Sequence, residues 1–131
     1  MANDDASRRL TVKGERQARV AGEAMAVLEA GIDTCLTSPK LRALDTARLA
    51  CESLGVEPEV TEALRGGDFD LAELAAGRGE VLVVGHEPDC SRAVQLSTGA
   101  RIEIKKGGAA VIDGGVLIAL LLPEAMRKIA G

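Results

Sequence analysis

The only imidazole among the 131 residues belongs to His86, and its surroundings suggest chemistry. It follows an apolar run, residues 81–84, and Gly85, which lets the backbone turn sharply and approach a ligand. Four consecutive apolar residues are typical of a strand that is covered on both faces of a parallel sheet. Because open α/β sheets bind ligands beyond the carboxyl ends of their strands, this pattern predicts that His86 lies at a ligand site. The alternative is a loop or capping histidine.

A cationic side chain follows a second predicted strand in a similar way. This strand covers residues 32–38, and a helix with Arg42 in its first turn is predicted to begin directly after Ser38. Backbone N–H groups at a helix start favour anions, and a guanidinium there can donate two parallel hydrogen bonds to the same anion. Together with His86, this pattern predicts a compact phosphate site at one edge of the sheet. The alternative is a surface arginine that pairs with Asp45.

The elements that must position these residues alternate along the chain. A first helix is predicted between Thr11, its N-cap, and Gly31, with an apolar stripe of mainly small residues that extends to Leu28. Further helices are predicted over 40–54, 68–76, 89–97 and 123–130, and strands over 32–38, 58–61, 80–84, 101–104, 109–113 and 116–122. This order predicts one α/β domain over residues 1–131, a three-layer α/β/α sandwich with a mostly parallel sheet.

Composition argues against several classes of partner. The net charge is −4 with a pI of about 5.1, so no general basic surface would attract nucleic acid or an anionic membrane. The chain has no Trp, no Tyr and one Phe, which argues against stacking on nucleic-acid bases. No apolar run approaches the ~20 residues that a membrane-spanning helix needs. We therefore expect neither a nucleic-acid nor a membrane partner.

Cysteine and histidine usage bears on location and cofactors. The three cysteines, Cys35, Cys51 and Cys90, are odd in number and lie in predicted helices or strands, as reduced core cysteines of a cytoplasmic protein do. One histidine is too few for a usual zinc site, so no metal or other cofactor is expected. Six residues separate Cys35 from Arg42, one too many for the phosphate cradle of cysteine phosphatases.

Four motifs occur in a familiar order. Residues 5–14 read Asp-x-x-Arg-x-Leu-Thr-x-x-Gly, and residues 38–47 read Ser-Pro-x-x-Arg-Ala-x-x-Thr-Ala. The turn 84–89 and the segment Lys-Lys-Gly-Gly at 105–108 follow. With these motifs the chain resembles the histidine phosphatase superfamily, whose fold is phosphoglycerate mutase-like, and most closely its phosphohistidine phosphatase branch.

The resemblance implies metal-independent phosphoryl transfer through a phosphohistidine intermediate. By motif position, Arg42 and His86 would be catalytic and would hold the oxygens of the transferring group, whereas Ser38 and Arg8 would contact the substrate. The expected partner is a phosphorylated protein or a small phosphorylated molecule. The general acid stays open between Glu62 and Glu87.

The sequence departs from the family at the nucleophile. In the family, a histidine in an Arg-His-Gly or Arg-His-Ala motif after the first, central strand attacks phosphorus, and no Arg-His dipeptide occurs here. We therefore expect little or no turnover from these 131 residues, or else a non-catalytic phospho-ligand binder or a strand-accepting module. The sequence leaves three possibilities for the sheet: a piece of a longer protein, a strand from a partner or an exchanged copy in a homo-oligomer, or closure with different pairing.

Overall fold

Helices and strands alternate along the described residues, 7–131, of the computed structural model. The elements are α1 (Val12–Val27), β1 (Thr34–Thr37), α2 (Leu41–Leu54), β2 (Pro58–Val60), a 3-10 turn (Glu62–Leu64), α3 (Leu71–Ala75), β3 (Val81–Val84), α4 (Asp89–Thr98), β4 (Ala109–Asp113), β5 (Val116–Leu121) and α5 (Pro123–Ala130). The predicted α/β class is confirmed. The first two residues of the motif at 5–14 lie outside the described part of the chain.

Three strands form a parallel sheet in the order β2-β1-β3. The predicted site residues follow the carboxyl ends of β1 and β3. The central strand of the sheet is β1, where Cys35 and Leu36 are buried. In the register of β1 with β3, Thr37 lies beside Val84. Because parallel strands end at the same edge, the residues that follow β1 and β3 are neighbours in space.

The last two strands form a separate antiparallel hairpin, β4–β5. Gly114 and Gly115 make its turn with φ of 55° and 78°, as their sequence predicts. Within residues 7–131, β3 pairs with β1 alone, so the sheet has not closed with different pairing. Residues 81–84 are half-buried, whereas the apolar run predicted a strand covered on both faces. The reason is that β3 lies at the edge of its sheet.

Helices α1 and α2 pack closely because their contact is built from small residues. In α1 the buried residues are Ala18, Gly22 and Ala24, and in α2 they include Ala47 and Ala50. A Cβ atom added at Gly22 would lie 2.8 Å from the Cα of Ala50 and closer still to its carbonyl oxygen. The glycine therefore allows the two backbones to meet.

The end of α1 differs from the prediction. The helix ends at Val27, and Leu28 is 52% exposed instead of completing the apolar stripe. The chain turns through Glu29 at a φ of 56°, and the N–H of Ala30 donates to the carbonyl oxygen of Met25 at 3.0 Å. These are the contacts of a Schellman cap, which here forms without a glycine in the left-handed position. Gly31 lies beyond the turn.

The predicted strand over 101–104 does not form. The N–H of Ile104 donates to the hydroxyl of Ser91 at 3.0 Å, which ties this segment to α4 instead of to a neighbouring strand. The predicted helix over 68–76 is shorter, because it begins only after Asp70, whose carboxylate caps it by accepting from the N–H of Glu73 at 3.2 Å.

Candidate functional site

His86 and Ser38 meet where β1 and β3 end. Ser38 directly follows β1, and His86 stands two residues after Val84, the last residue of β3. The distance from Nε2 of His86 to Oγ of Ser38 is 2.8 Å. Ser38 is fully buried, and its N–H donates to the carbonyl oxygen of Val84 at 3.0 Å. The serine thus fixes the imidazole to the parallel sheet.

The start of α2 brings a positive helix end and a guanidinium to the same edge of the sheet. The helix begins at Leu41, three residues after Ser38, and the N–H of Lys40 donates to Oγ of Ser38 at 3.2 Å. Arg42 is the second residue of the helix; its side chain is half-buried and its Nε atom is in the interior. Helix N-termini and guanidinium groups both attract anions, so this edge suits a phosphoryl group.

The segment before α1 is fastened to α2 by an arginine that the sequence did not single out. Arg9 donates to both carboxylate oxygens of Asp45, from Nε at 3.2 Å and from Nη2 at 3.0 Å. Hydrogen bonding to Asp45 raises the pKa of Arg9 above its ordinary value. Arg8, the predicted substrate contact, is the exposed neighbour of Arg9. The partners are 36 residues apart, so no local pattern indicates the pair.

The two general-acid candidates both have partners. The carboxylate of Glu87 accepts from the N–H of Ser91 at 2.9 Å and from its hydroxyl. Glu62 accepts two hydrogen bonds from Arg65, which hold the pKa of this carboxyl below its ordinary value. A general acid must carry a proton at working pH, and a lowered pKa opposes that.

The three thiols are poor nucleophiles. Burial raises the pKa of Cys35 and of Cys51, and it raises the pKa of Cys90 to about 11. A cysteine attacks as its thiolate, which these shifts disfavour at neutral pH. Within residues 7–131, no group of three or more His, Cys, Asp or Glu side chains could hold a metal ion. The helices of this part of the chain include none long and apolar enough to cross a membrane.

Comparison with known proteins shows the family of the chain. The sequence profile of the histidine phosphatase superfamily (branch 1) matches residues 4–81. An uncharacterized protein of Picosynechococcus sp. is 35% identical over an alignment of 125 residues, and the match covers 86% of this chain and 75% of that protein.

Two solved structures share the fold. The protein histidine phosphatase SixA complexed with tungstate superposes with a TM-score of 0.77 at 23% identity, over 94% of this chain and 89% of that one. The putative phosphohistidine phosphatase SixA from Agrobacterium tumefaciens gives a TM-score of 0.79 at 21% identity, over 92% and 87% of the two chains. The chain belongs to the histidine phosphatase superfamily, and its fold is that of the phosphohistidine phosphatase SixA.

Proposed function

We propose that Ser38, Arg42 and His86 form a site for the phosphoryl group of a phosphohistidine protein or of another phosphorylated molecule. The single observation that carries this proposal is the 2.8 Å contact between Nε2 of His86 and Oγ of Ser38, which joins the ends of two adjacent parallel strands. Arg42 lies four residues after Ser38, in the first turn of α2. Arg8 contacts the rest of the substrate at the mouth of the site.

The chemistry of these groups matches the charge on a transferring phosphoryl group. The guanidinium of Arg42 donates to two of its oxygens, and the imidazole of His86 donates to the third. The positive end of α2 adds a fixed partial charge at the same place. Such preorganised donors stabilise the charge that develops in the transition state without rearranging during the reaction.

The attack on phosphorus needs a further histidine. In the family to which the chain belongs, one histidine attacks while another holds the phosphoryl oxygens, and His86 is the only histidine of these 131 residues. We therefore propose that these residues by themselves bind the phosphoryl group and turn it over slowly or not at all. Hydrolysis of a phosphohistidine protein by the purified chain, abolished by His86→Ala, would contradict this.

Oxyanion binding tests the site directly. Tungstate or inorganic phosphate should raise the melting temperature, because a ligand of the folded state at 100 times its Kd stabilises by about 2.7 kcal/mol. Arg42→Ala should remove the shift. Arg48→Ala is the matched control, since Arg48 is an exposed arginine of the same helix, and it should keep the shift. A wild-type protein without a shift, or an equal shift in Arg42→Ala, would refute the proposal.

A second candidate function is acceptance of a strand from another chain. It is favoured by the edge position of β3 and by its separation from the β4–β5 hairpin within the described residues. The hairpin also exposes large apolar side chains, with Val116 59% and Ile118 60% exposed. The open edge of an apolar strand offers backbone N–H and C=O groups that can pair with an added strand.

A further inference from the structure

A small cleft between α1 and α5 combines an apolar floor with a cationic rim. Its volume is about 110 Å³. Val20 and Pro123, which are both half-buried, contribute apolar surface, and Met126 in the lining is buried. Lys13 and Arg16 from α1 and Arg127 from α5 line it and are exposed. We call this feature the α1–α5 cleft.

The positive charge on the rim of the α1–α5 cleft is not neutralised by acidic residues in its lining. No acidic residue lines it. Within residues 7–131, Lys13, Arg16 and Arg127 form no ion pair shorter than 4.0 Å. The nearest acids in sequence are Glu15, whose charge acts on Arg9, and the exposed Glu124. This cluster contrasts with the net charge of −4 of the whole chain.

A glycine holds a lysine-bearing loop against the cleft. The amide Nε2 of Gln17 donates to the carbonyl oxygen of Lys106 at 3.4 Å. Gly107 has a φ of 82°, and a Cβ added to it would lie 3.1 Å from Cδ of Gln17. The Lys-Lys-Gly-Gly motif at 105–108 thus keeps its backbone against α1, and Lys106 adds a further exposed cation.

The α1–α5 cleft lies at the same end of the molecule as the phosphoryl site. Arg9 hydrogen-bonds to Asp45, which lies three residues after Arg42 in α2. This pair places the start of α1 beside the start of α2. Lys13 belongs to the first turn of α1, so one end of the cationic rim lies on the part of α1 that is nearest the start of α2.

We propose that the α1–α5 cleft docks an acidic segment of the phosphoprotein, with a glutamate side chain in the cleft. The identity of the partner as a phosphoprotein rests on the proposed function. The methylene groups of the glutamate pack on Val20 and Pro123, and its carboxylate accepts hydrogen bonds from Arg16 and Arg127. Binding there holds the partner while its phosphoryl group enters the site.

An acidic polypeptide fits the cleft better than a nucleic acid does. The chain has a single aromatic residue, Phe69, and it does not line the cleft, so bases find no stacking surface. The overall negative charge repels a long polyanion, whereas a short acidic segment meets only the local cationic rim.

The test measures binding of a labelled oligoglutamate peptide at low salt. In the double variant Arg16→Glu and Arg127→Glu, affinity should fall about tenfold or more, because two attractive contacts with the peptide become repulsive. The control variant Arg48→Glu and Arg101→Glu changes the net charge equally, at exposed residues outside the cleft, and should bind as the wild type does. Circular dichroism verifies that both variants fold.

The outcomes separate this proposal from the proposed function. Arg42→Ala should lose the tungstate shift and keep oligoglutamate binding, whereas the cleft variant should do the reverse. Absence of oligoglutamate binding, equal loss in both double variants, or tighter cleft-dependent binding of an RNA homopolymer would overturn the docking proposal. Oligoglutamate binding in a protein without any tungstate shift would overturn the phosphoprotein as the partner.

Discussion

The buried hydroxyl of Ser38 decides how the imidazole of His86 is held. Its backbone N–H donates to β3 and its Oγ accepts from the N–H of Lys40, so the serine is fixed from both sides. The imidazole then has a rigid partner at 2.8 Å. A side chain that contacts a buried, hydrogen-bonded neighbour has a defined orientation, which the proposed phosphoryl site requires of His86.

The thiols provide a prediction at this scale. Because burial raises the pKa of Cys90 to about 11, its thiol stays protonated at neutral pH and becomes reactive only as the pH approaches that value. Iodoacetamide should label Cys90 of the folded protein slower than an ordinary cysteine of pKa ~8.5, by a factor on the order of 100. Mass spectrometry gives the rates, with the urea-unfolded protein as control. Rapid labelling of folded protein at neutral pH would contradict the prediction.

At the scale of elements, the contact between α1 and α2 determines how the cationic residues at the start of α1 lie relative to Arg42 at the start of α2. Arg42 projects from α2, and the exposed cations Lys13 and Arg16 project from the N-terminal half of α1. Small residues on the facing sides let the helices approach closely, and this approach aligns the two helix starts. The packing of alanines and one glycine therefore sets the distance between the proposed phosphoryl site and the α1–α5 cleft.

Gly22→Ala tests that contact. The added methyl group would collide with the backbone of Ala50, and overpacking of this kind destabilises by about 1–3 kcal/mol. Gly31→Ala is the control, because a Cβ at Gly31 meets nothing within 4 Å, and it should change stability by less than about 0.5 kcal/mol. Urea denaturation measures both. Equal stabilities of the two variants would show that the helix backbones do not meet at Gly22.

At the scale of the whole molecule, the β-structure of residues 7–131 lies in two parts. The parallel sheet carries the proposed phosphoryl site. The segment before the hairpin is tied to α4 by the hydrogen bond from Ile104 to Ser91, and the hairpin turn approaches α4 where Gly115 lies near Ser97. The valines of the edge strand β3 are half-buried, and several apolar side chains of β5 are exposed to solvent. Apolar surface of this kind favours association.

Strand acceptance predicts self-association that depends on protein concentration. Sedimentation velocity should show a dimer or larger species, because the β3 edge of one copy can pair with a strand of another. Val81→Lys adds a charge to the edge strand and should shift the protein toward monomer, whereas Leu96→Lys, at an exposed position of α4, should not. A folded protein that stays monomeric at every concentration would argue against this function.

Local sequence patterns determined much of this molecule. Capping residues and apolar periodicity indicated α2, α4 and α5, and the glycine pair indicated the hairpin turn, because each depends on residues within a few positions of one another. The motifs around Ser38, Arg42 and His86 identified the family and the edge of the sheet where these residues lie. This placement could be predicted because it requires only that the two strands be parallel and that each be followed by a helix.

Only the tertiary structure decided the contacts between distant segments. The hydrogen bonds from Arg9 to Asp45 and from Ile104 to Ser91 join residues whose contact no helical or strand periodicity predicts. The half-burial of residues 81–84 depends on whether a second strand lies beside β3. An apolar run in the sequence is the same whether one or both edges of the strand are paired. The cationic cleft likewise exists because α1, α5 and the loop at 105–108 converge, which is a property of packing and not of any single stretch.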